Sequence, residues 1–355
     1  MQLIGDVRSA GVAAINSIVT DVANDPSWLA HRYDPEHDAI HFQWTPREAH
    51  RAATFITDEY LPENSRKLVL RRDEAVAAAP PEAPIHFLFH SAFCCSTLLA
   101  RAFDREGWAM GLKEPVILND LVGWRRRGGE PRRIAMVLDH SLHLLGRSFA
   151  SGEAVVVKPS NVVNVLATAM LGMRPNARAL LLHAPLETYL ASIAKKGMTG
   201  RIWARDAIVG LLMDGAVPFG FDQKDYLGQT DLQVAAIGWL AQHANFHQLI
   251  ERLGPDRVRT LDSQTLLAHP AAAMRSLAQH YGLALDDAAL TEIMAGPAFT
   301  RHSKFGSEFA SSDREAEYRD ASAIHADEIK KVTIWAAAVA ESAGLPMALG
   351  TPLLS

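Results

Sequence analysis

The chain has almost no cysteine and no long apolar run, and both shortages narrow the class of protein. Its two cysteines, Cys94 and Cys95, are neighbours among 355 residues, so a framework of disulfide bonds cannot form. A disulfide between adjacent residues would be strained, and we therefore expect free thiols in a reducing compartment, the cytoplasm. No apolar stretch approaches the roughly 20 residues that a membrane-spanning helix needs, so we expect no membrane partner.

Positive charge is scarce as well. Lys and Arg number 35 against 40 Asp and Glu, which gives a net charge of −5. A general nucleic-acid binder needs a broad basic face, so we expect no nucleic-acid partner. The chain also lacks the ordinary phosphate-binding turn of ATPases and GTPases, which ends in Gly-Lys-Ser or Gly-Lys-Thr. Cys94 and Cys95 precede Ser96 and Thr97 instead, which disfavours a common nucleotide hydrolase.

What is present after residue 84 is an alternation of short apolar runs and helical patterns. The runs Ile85–Phe89, Ala154–Val157 and Ala179–Leu182 are leucine-rich or β-branched, as are strands buried on both faces of a parallel sheet. Val258–Leu261 predicts a further strand. Helices are predicted from Asp231 to Leu253, twice between His269 and Ala295, and from Ile324 to Ala343. The pattern is typical of an α/β fold with a central parallel sheet.

Residues 1–83 predict a small N-terminal α+β appendage, to which the sequence assigns no role. Apolar positions at near-helical spacing between Ile4 and Val19 indicate an amphipathic helix. We predict a strand over Ala39–Phe42 and a helix from Pro46 to about Tyr60. A linker at 77–84 follows, because its three prolines exclude a helix interior.

The most informative segment is 84–101. It predicts a buried strand, a tight polar turn and a helix that opens on Ser96, a layout that directs backbone N–H groups toward one point and suits a phosphate or sulfate. The turn resembles the 5′-phosphosulfate loop of the sulfotransferase family, whose bacterial members carry an Arg-Ser-Gly-Ser-Thr-Leu-Leu-like run. Ser96–Leu99 match the second half of that run, whereas Phe93 stands in place of a basic residue and Cys95 in place of glycine. The resemblance assigns the 5′-phosphosulfate to Phe93, Cys94, Cys95, Ser96 and Thr97.

Two later segments match the same family in the expected order and imply the catalytic residues. Glu114, within Gly111–Pro115, resembles the family's proposed general base, which would remove the proton from an acceptor hydroxyl. Lys158 follows the strand Ala154–Val157 and resembles a lysine that contacts the sulfuryl group, where it would stabilise charge on the leaving phosphate. His90 and His302 are further candidates for the base.

The resemblance also implies a site for a 3′-phosphate. His183 stands in place of the family's arginine in a strand-and-helix element, and Ser192 in place of its serine. Arg301, Lys304 and Gly306 resemble the family's C-terminal Arg-Lys-Gly loop, and a dianionic phosphate needs such cationic donors.

Together these resemblances imply a P-loop-like three-layer domain over 84–355 that belongs to a sulfotransferase. It would move a sulfuryl group from 3′-phosphoadenosine 5′-phosphosulfate (PAPS) to an acceptor hydroxyl or amine, without a metal. Two alternatives remain. One is a P-loop-related kinase or hydrolase, and the other is a catalytically inactive protein of this fold that binds ligands or partners, since Phe93, Cys95 and His183 replace residues that active members retain. The sequence does not identify the acceptor.

Overall fold

A five-stranded parallel sheet lies at the centre of the computed structural model, which describes residues 16–300 and 311–354. The order across the sheet is β5–β6–β4–β7–β8, and every pairing is parallel. The five strands are β4 Ile85–His90, β5 Ala109–Lys113, β6 Ala154–Lys158, β7 Ala179–His183 and β8 Val258–Asp262. The predicted α/β class, the central parallel sheet and the four predicted strands are confirmed.

Both faces of the sheet are covered, which gives three layers. Leu88, Val156 and Leu180 belong to the apolar cluster on one face, whereas Phe87 and Val157 belong to the cluster on the other. The helices that follow β4 along the chain are α4 Ser96–Ala102, α5 Val116–Arg126, α6 Pro131–Leu145, α7 Ala167–Met173, α8 Leu186–Lys195, α9 Gly197–Met213, α10 Gln223–Gly228, α11 Asp231–Leu253, α12 Ser263–Ala268, α13 Pro270–Tyr281, α14 Asp287–Ala295, α15 Pro297–Thr300 and α16 Ser311–Ser342. A 3-10 helix spans Asn161–Leu166.

The N-terminal region builds a second, antiparallel sheet of three strands. Its elements are helix α1 over residues 16–24, β1 Trp28–Asp34, β2 Ala39–Trp44, α2 Arg47–Ala52, β3 Lys67–Arg71 and α3 Arg72–Ala78. The prediction of a strand at Ala39–Phe42 is confirmed. Trp28 and Phe42 lie in the same apolar cluster as Phe87 and Val157 of the central sheet, so this region packs directly on one of its faces.

The helix predicted from Pro46 to about Tyr60 is wrong beyond Ala52. The reason is Lys113, whose Nζ is buried and donates to the carbonyl oxygens of His50, Arg51 and Ala53 at 2.5, 3.2 and 2.6 Å. A cation at the last carbonyls of a helix satisfies groups that the helix leaves unpaired. The chain then turns toward the central sheet instead of continuing the helix.

The remaining helices agree more closely with prediction. Helix α11 has the predicted bounds. A capping box formed by Thr230 and Gln233 begins it. The two helices predicted between His269 and Ala295 are α13 and α14. Helix α16 begins at Ser311, earlier than the predicted Ile324. No helix in the described part of the chain is both long and apolar enough to cross a membrane.

Candidate functional site at the carboxyl edge of the sheet

Polar residues stand where several of the parallel strands end. His90 ends β4, Lys158 ends β6, His183 ends β7, and Glu114 follows β5 directly. The chain passes from β4 to β5 and β6 on one side, and then to β7 on the other side. A sheet with such a change of direction has a crevice at its carboxyl edge, where α/β proteins bind their ligands.

Lys158 and Glu114 form an ion pair in this crevice. The Lys158 side chain is 1% exposed and that of Glu114 is 18% exposed, and Lys158 Nζ donates to Glu114 Oε1. The backbone fixes the pair further, since the Glu114 N–H donates to the Lys158 carbonyl oxygen at 2.7 Å. Glu114 has a φ of 57°, a left-handed conformation that is uncommon outside glycine and clusters at functional sites. The two predicted catalytic residues therefore lie together.

His90 supports this pair from the central strand. Its Nδ1 accepts a hydrogen bond from the Ala92 N–H at 3.0 Å, so Nε2 carries the proton and donates to the Pro159 carbonyl at 3.1 Å. Nε2 lies 3.9 Å from Glu114 Oε1. Both ring nitrogens are thus engaged, and a proton on Nδ1 would break the bond from Ala92. The geometry favours a positioning role for His90 over that of a general base.

A buried amide network holds the end of β4 in place. Asn164 Nδ2 donates to the His90 carbonyl at 2.9 Å and to Gln242 Oε1 of helix α11 at 2.7 Å. Asn164 is 1% exposed and Gln242 is 4% exposed, so both bonds are sheltered from water, where losing them is costly. The sequence reasoning missed both residues, because a single asparagine or glutamine carries no motif.

The loop between β4 and α4 adopts a glycine-type backbone without glycine. Ala92, Phe93 and Cys95 have φ values of 70°, 51° and 68°, which cost free energy in residues that carry a Cβ atom. Cys95 stands where the resembling family has glycine, and its positive φ explains that preference. The helix predicted to open on Ser96 is confirmed as α4.

The Cys94 thiol is structural. Cys94 is 1% exposed, and its Sγ donates to the Leu182 carbonyl at 3.4 Å. Burial raises the pKa of the Cys94 thiol to about 12, although the nearby Lys158 charge acts in the opposite direction. A thiol in this state is not a nucleophile at neutral pH. Since the Lys158 charge acts on the Cys94 thiol, the Lys158 ammonium lies near the loop.

Phe93 brings a lysine to the loop indirectly. Its ring contacts Tyr189 of α8 and Trp203 of α9, with centroids 5.7 and 4.9 Å apart. Lys196 Nζ, between these helices, lies 5.9 Å from the centroid of the Phe93 ring, within cation–π range. A cation therefore stands beside the position where the resembling family has a basic residue.

His183 and Ser192 lie on the other side of the loop, on β7 and α8. Burial lowers the pKa of His183 to about 4 despite the charge of Asp262, so its ring is neutral at pH 7 and supplies no positive charge. Ser192 Oγ donates to the Thr188 carbonyl at 2.8 Å. Arg301, His302 and Lys304 lie outside the described residues, and the 3′-phosphate site stays a prediction.

The N-terminal region contributes a wall of the crevice through its segment 55–60. The Ile56 N–H donates to the Lys113 carbonyl at 2.7 Å, and the Val116 N–H donates to the Ile56 carbonyl at 3.3 Å, so this segment brackets Glu114. The Phe55 ring centroid lies 5.0 Å from Lys158 Nζ and 5.3 Å from the ring of Tyr60. Burial, Glu59 and Glu114 all raise the pKa of Tyr60.

Comparisons with known proteins find similarity among solved structures alone. No protein-family model and no curated protein sequence matches the chain. Among solved structures, the chain is similar to the sulfotransferase domain from the curacin biosynthetic pathway (11% identity, TM-score 0.37, covering 64% of this chain and 84% of that one). It is also similar to sulfotransferase STF9 from Mycobacterium avium (12%, TM-score 0.42, 70% and 78%) and to the sulfotransferase domain of the Synechococcus PCC 7002 olefin synthase (11%, TM-score 0.34, 62% and 81%). At such low identities and TM-scores, statements about activity rest on the residues of the site.

Proposed function

We propose that this protein transfers a sulfuryl group from PAPS to an acceptor hydroxyl or amine. The observation that carries the proposal is the buried Lys158, paired with the partly exposed Glu114 at the carboxyl edge of the sheet and beside the β4–α4 loop. Burying a lysine side chain costs free energy, which points to a role for its charge. A cation beside a carboxylate suits an in-line transfer from the donor oxygen to an acceptor oxygen or nitrogen.

Each of the two residues has a role in that transfer. The bond between sulfur and the bridging oxygen of the donor breaks, and a bond from sulfur to the acceptor oxygen or nitrogen forms. Glu114 takes the acceptor proton as general base. Lys158 stabilises the charge that gathers on the phosphate of the leaving adenosine 3′,5′-bisphosphate.

The ion pair makes the order of binding matter. With no donor present, the Glu114 carboxylate is engaged by the Lys158 ammonium and is a poor base. A donor anion in the loop competes for Lys158 and releases Glu114 toward the acceptor. We therefore expect the donor to bind before a productive acceptor complex forms.

The donor would lie along the loop. Phe93, Cys94, Cys95, Ser96 and Thr97 surround the 5′-phosphosulfate, with Lys196 as the nearby exposed cation. His183 and Ser192 would serve the 3′-phosphate through hydrogen bonds, and its positive partners would be Arg301 and Lys304. The acceptor would enter against Phe55 and Tyr60, which are partly exposed beside Lys158 and Glu114.

A second candidate function has specific support. The neutral His183, together with Phe93 and Cys95 in the loop, fits a protein of this fold that binds a nucleotide without turning it over. The two functions differ in one measurable respect: both bind adenosine 3′,5′-bisphosphate, but only the enzyme consumes PAPS.

A thermal-shift comparison tests donor recognition first. Adenosine 3′,5′-bisphosphate should stabilise the protein more than AMP or ATP, by roughly 2.7 kcal/mol at ~100 times its Kd. Equal stabilisation by AMP would remove the 3′-phosphate site. Glu114→Gln should then lower turnover by about 10²- to 10⁴-fold while donor affinity is kept or tightened, whereas Lys158→Met should lower both. Near-normal turnover in Glu114→Gln would contradict its role as base.

A further inference from the structure

A second cavity lies at the opposite, amino edge of the central sheet. It has a volume of about 440 Å³ and is lined by Arg178, Arg259, Ser276, Gln279, His280 and Pro352, among others. We call it the Arg259 pocket. Arg178 directly precedes β7 and Arg259 is the second residue of β8, so the pocket is separated from Lys158 and Glu114 by the length of the strands. It belongs to no part of the proposed catalytic site.

The two arginines of this pocket have no acidic partner in the described part of the chain. Arg178 Nη1 donates to the His280 carbonyl, and Arg259 Nη1 reaches the Pro352 carbonyl only at 3.5 Å. Asp256 also lines the cavity, but it forms no ion pair with either arginine among the described residues. Arginines elsewhere commonly do pair with carboxylates; examples are Arg126 with Asp214, Arg174 with Asp139 and Arg205 with Asp231.

The arginines at this edge of the sheet act on one another and on the neutral ring of His280. Burial lowers the pKa of His280 to about 4, and the charges of Arg178 and Arg259 push it in the same direction. Arg178 also lowers the pKa of the neighbouring Arg257, after burial. Like charges therefore crowd at this edge of a chain whose net charge is −5. An anion in the cavity would offset their repulsion.

We propose that the Arg259 pocket binds a small organic phosphate monoester. The paired N–H donors of a guanidinium group match the spacing of two phosphate oxygens. The Ser276 hydroxyl and the Gln279 amide, which also line the pocket, add neutral donors. Pro352 and Leu353 give the cavity an apolar wall for the carbon part of such a ligand. The volume lies in the range of small-molecule sites, about 300–1,000 Å³.

Titration calorimetry on the full chain tests this site, with glycerol 3-phosphate and inorganic phosphate as probes and glycerol as the uncharged comparison. At a fixed ionic strength of about 0.15 M, both phosphates should bind saturably, glycerol 3-phosphate more tightly, and glycerol not at all. Arg259→Gln should weaken both phosphates about tenfold or more, the loss expected for one charge-assisted hydrogen bond. Among the described residues, the Arg259 side chain makes one hydrogen bond, the long contact to Pro352, so the variant should fold.

Two control variants test whether the loss of affinity is specific to the Arg259 pocket. Arg275→Gln removes a positive charge from α13, the helix that carries Ser276 and Gln279, at an arginine that pairs with Asp287 outside the pocket. It should change affinity less than about twofold. Lys196→Gln removes the cation near the catalytic loop and should leave the affinity unchanged. Absence of saturable binding, an equal loss in Arg275→Gln, or a loss in Lys196→Gln without one in Arg259→Gln would each overturn the proposal. None of these three outcomes bears on turnover of PAPS.

Discussion

Replacing Glu114 by glutamine should destabilise the protein strongly, because it leaves the Lys158 ammonium buried without its carboxylate. Removing one partner of a fully buried ion pair costs about 3–5 kcal/mol. Two features reduce that figure here: the Glu114 side chain is 18% exposed, so water reaches one side of the pair, and the Phe55 ring lies 5.0 Å from Lys158 Nζ. A partly desolvated cation–π contact offsets about 0.5–2 kcal/mol. We therefore expect a loss of about 2–4 kcal/mol.

The second substitution should recover most of this loss. Lys158→Met fills the lysine volume with an apolar chain, and replacing both charges of a buried pair is often neutral. Glu114→Gln combined with Lys158→Met should thus come within about 1 kcal/mol of the natural protein, with a coupling free energy of about 2–3 kcal/mol.

Urea unfolding of the four proteins at pH 7 measures that coupling, provided that the slope with denaturant stays constant across the set. Asp327 and Lys331 provide a matched surface cycle, since their side chains are 81% and 74% exposed and lie 2.6 Å apart. Their coupling should stay below about 1 kcal/mol. A Glu114–Lys158 coupling as small as the surface value would mean that water already solvates the pair, and the argument that Lys158 masks Glu114 would fail.

Three further outcomes are expected. Ala92→Gly should raise the free energy of unfolding by about 0.5–1 kcal/mol because Ala92 has a φ of 70°. Ala77→Gly, at an exposed position in the last turn of α3, should lower it by at most about 1 kcal/mol; a loss in both, measured in urea, would show that the loop is unstrained. Lys196→Gln should weaken AMP and adenosine 3′,5′-bisphosphate alike by about three- to fivefold in calorimetry, while Lys195→Gln changes them less than about twofold; equal effects would assign no special role to the lysine on Phe93. His183, with its pKa lowered by burial to about 4 from about 6.5 in the unfolded chain, charges first in the unfolded state as pH falls, so stability is lost between those two values. His183→Gln should accordingly shrink the stability difference between about pH 7 and pH 5 by about 1–2 kcal/mol, and an unchanged difference would contradict this assignment.

The sequence predicted strands well wherever both faces of a strand are apolar. β6 and β7 are near-continuous apolar runs that are buried on both sides. β5 lies at the edge of the sheet and is equally buried, but it contains Gly111 and Lys113. Its lysine is buried only because three carbonyl oxygens of the region around α2 accept its protons. That compensation comes from residues about 60 positions away, and no local pattern contains it.

The same contrast between local patterns and long-range contacts applies to the candidate site. Glu114 and Lys158 could be placed together from the sequence, because the carboxyl ends of neighbouring parallel strands meet at one edge. Phe55 and Tyr60 could not, since they reach the crevice through a turn in place of the helix that the pattern favoured. The pairing of Ile56 with Lys113 and Val116 is a long-range backbone contact, and the amino acids involved do not specify it.

The loop departs from the resembling family at Cys95 and Phe93, and nearby groups offset part of the effect of each departure. Cys95 keeps the left-handed backbone that glycine would take freely, with a φ of 68°, and its thiol lies in the apolar core beside Leu98 and Leu99, where burial offsets part of the strain. Phe93 carries no charge, but its ring lies 5.9 Å from the ammonium of Lys196. An exposed lysine that rests on an aromatic face loses less freedom when an anion arrives than one that extends into water. The proposed anion site on the loop therefore has a cation beside it, although no residue from 91 to 97 is basic.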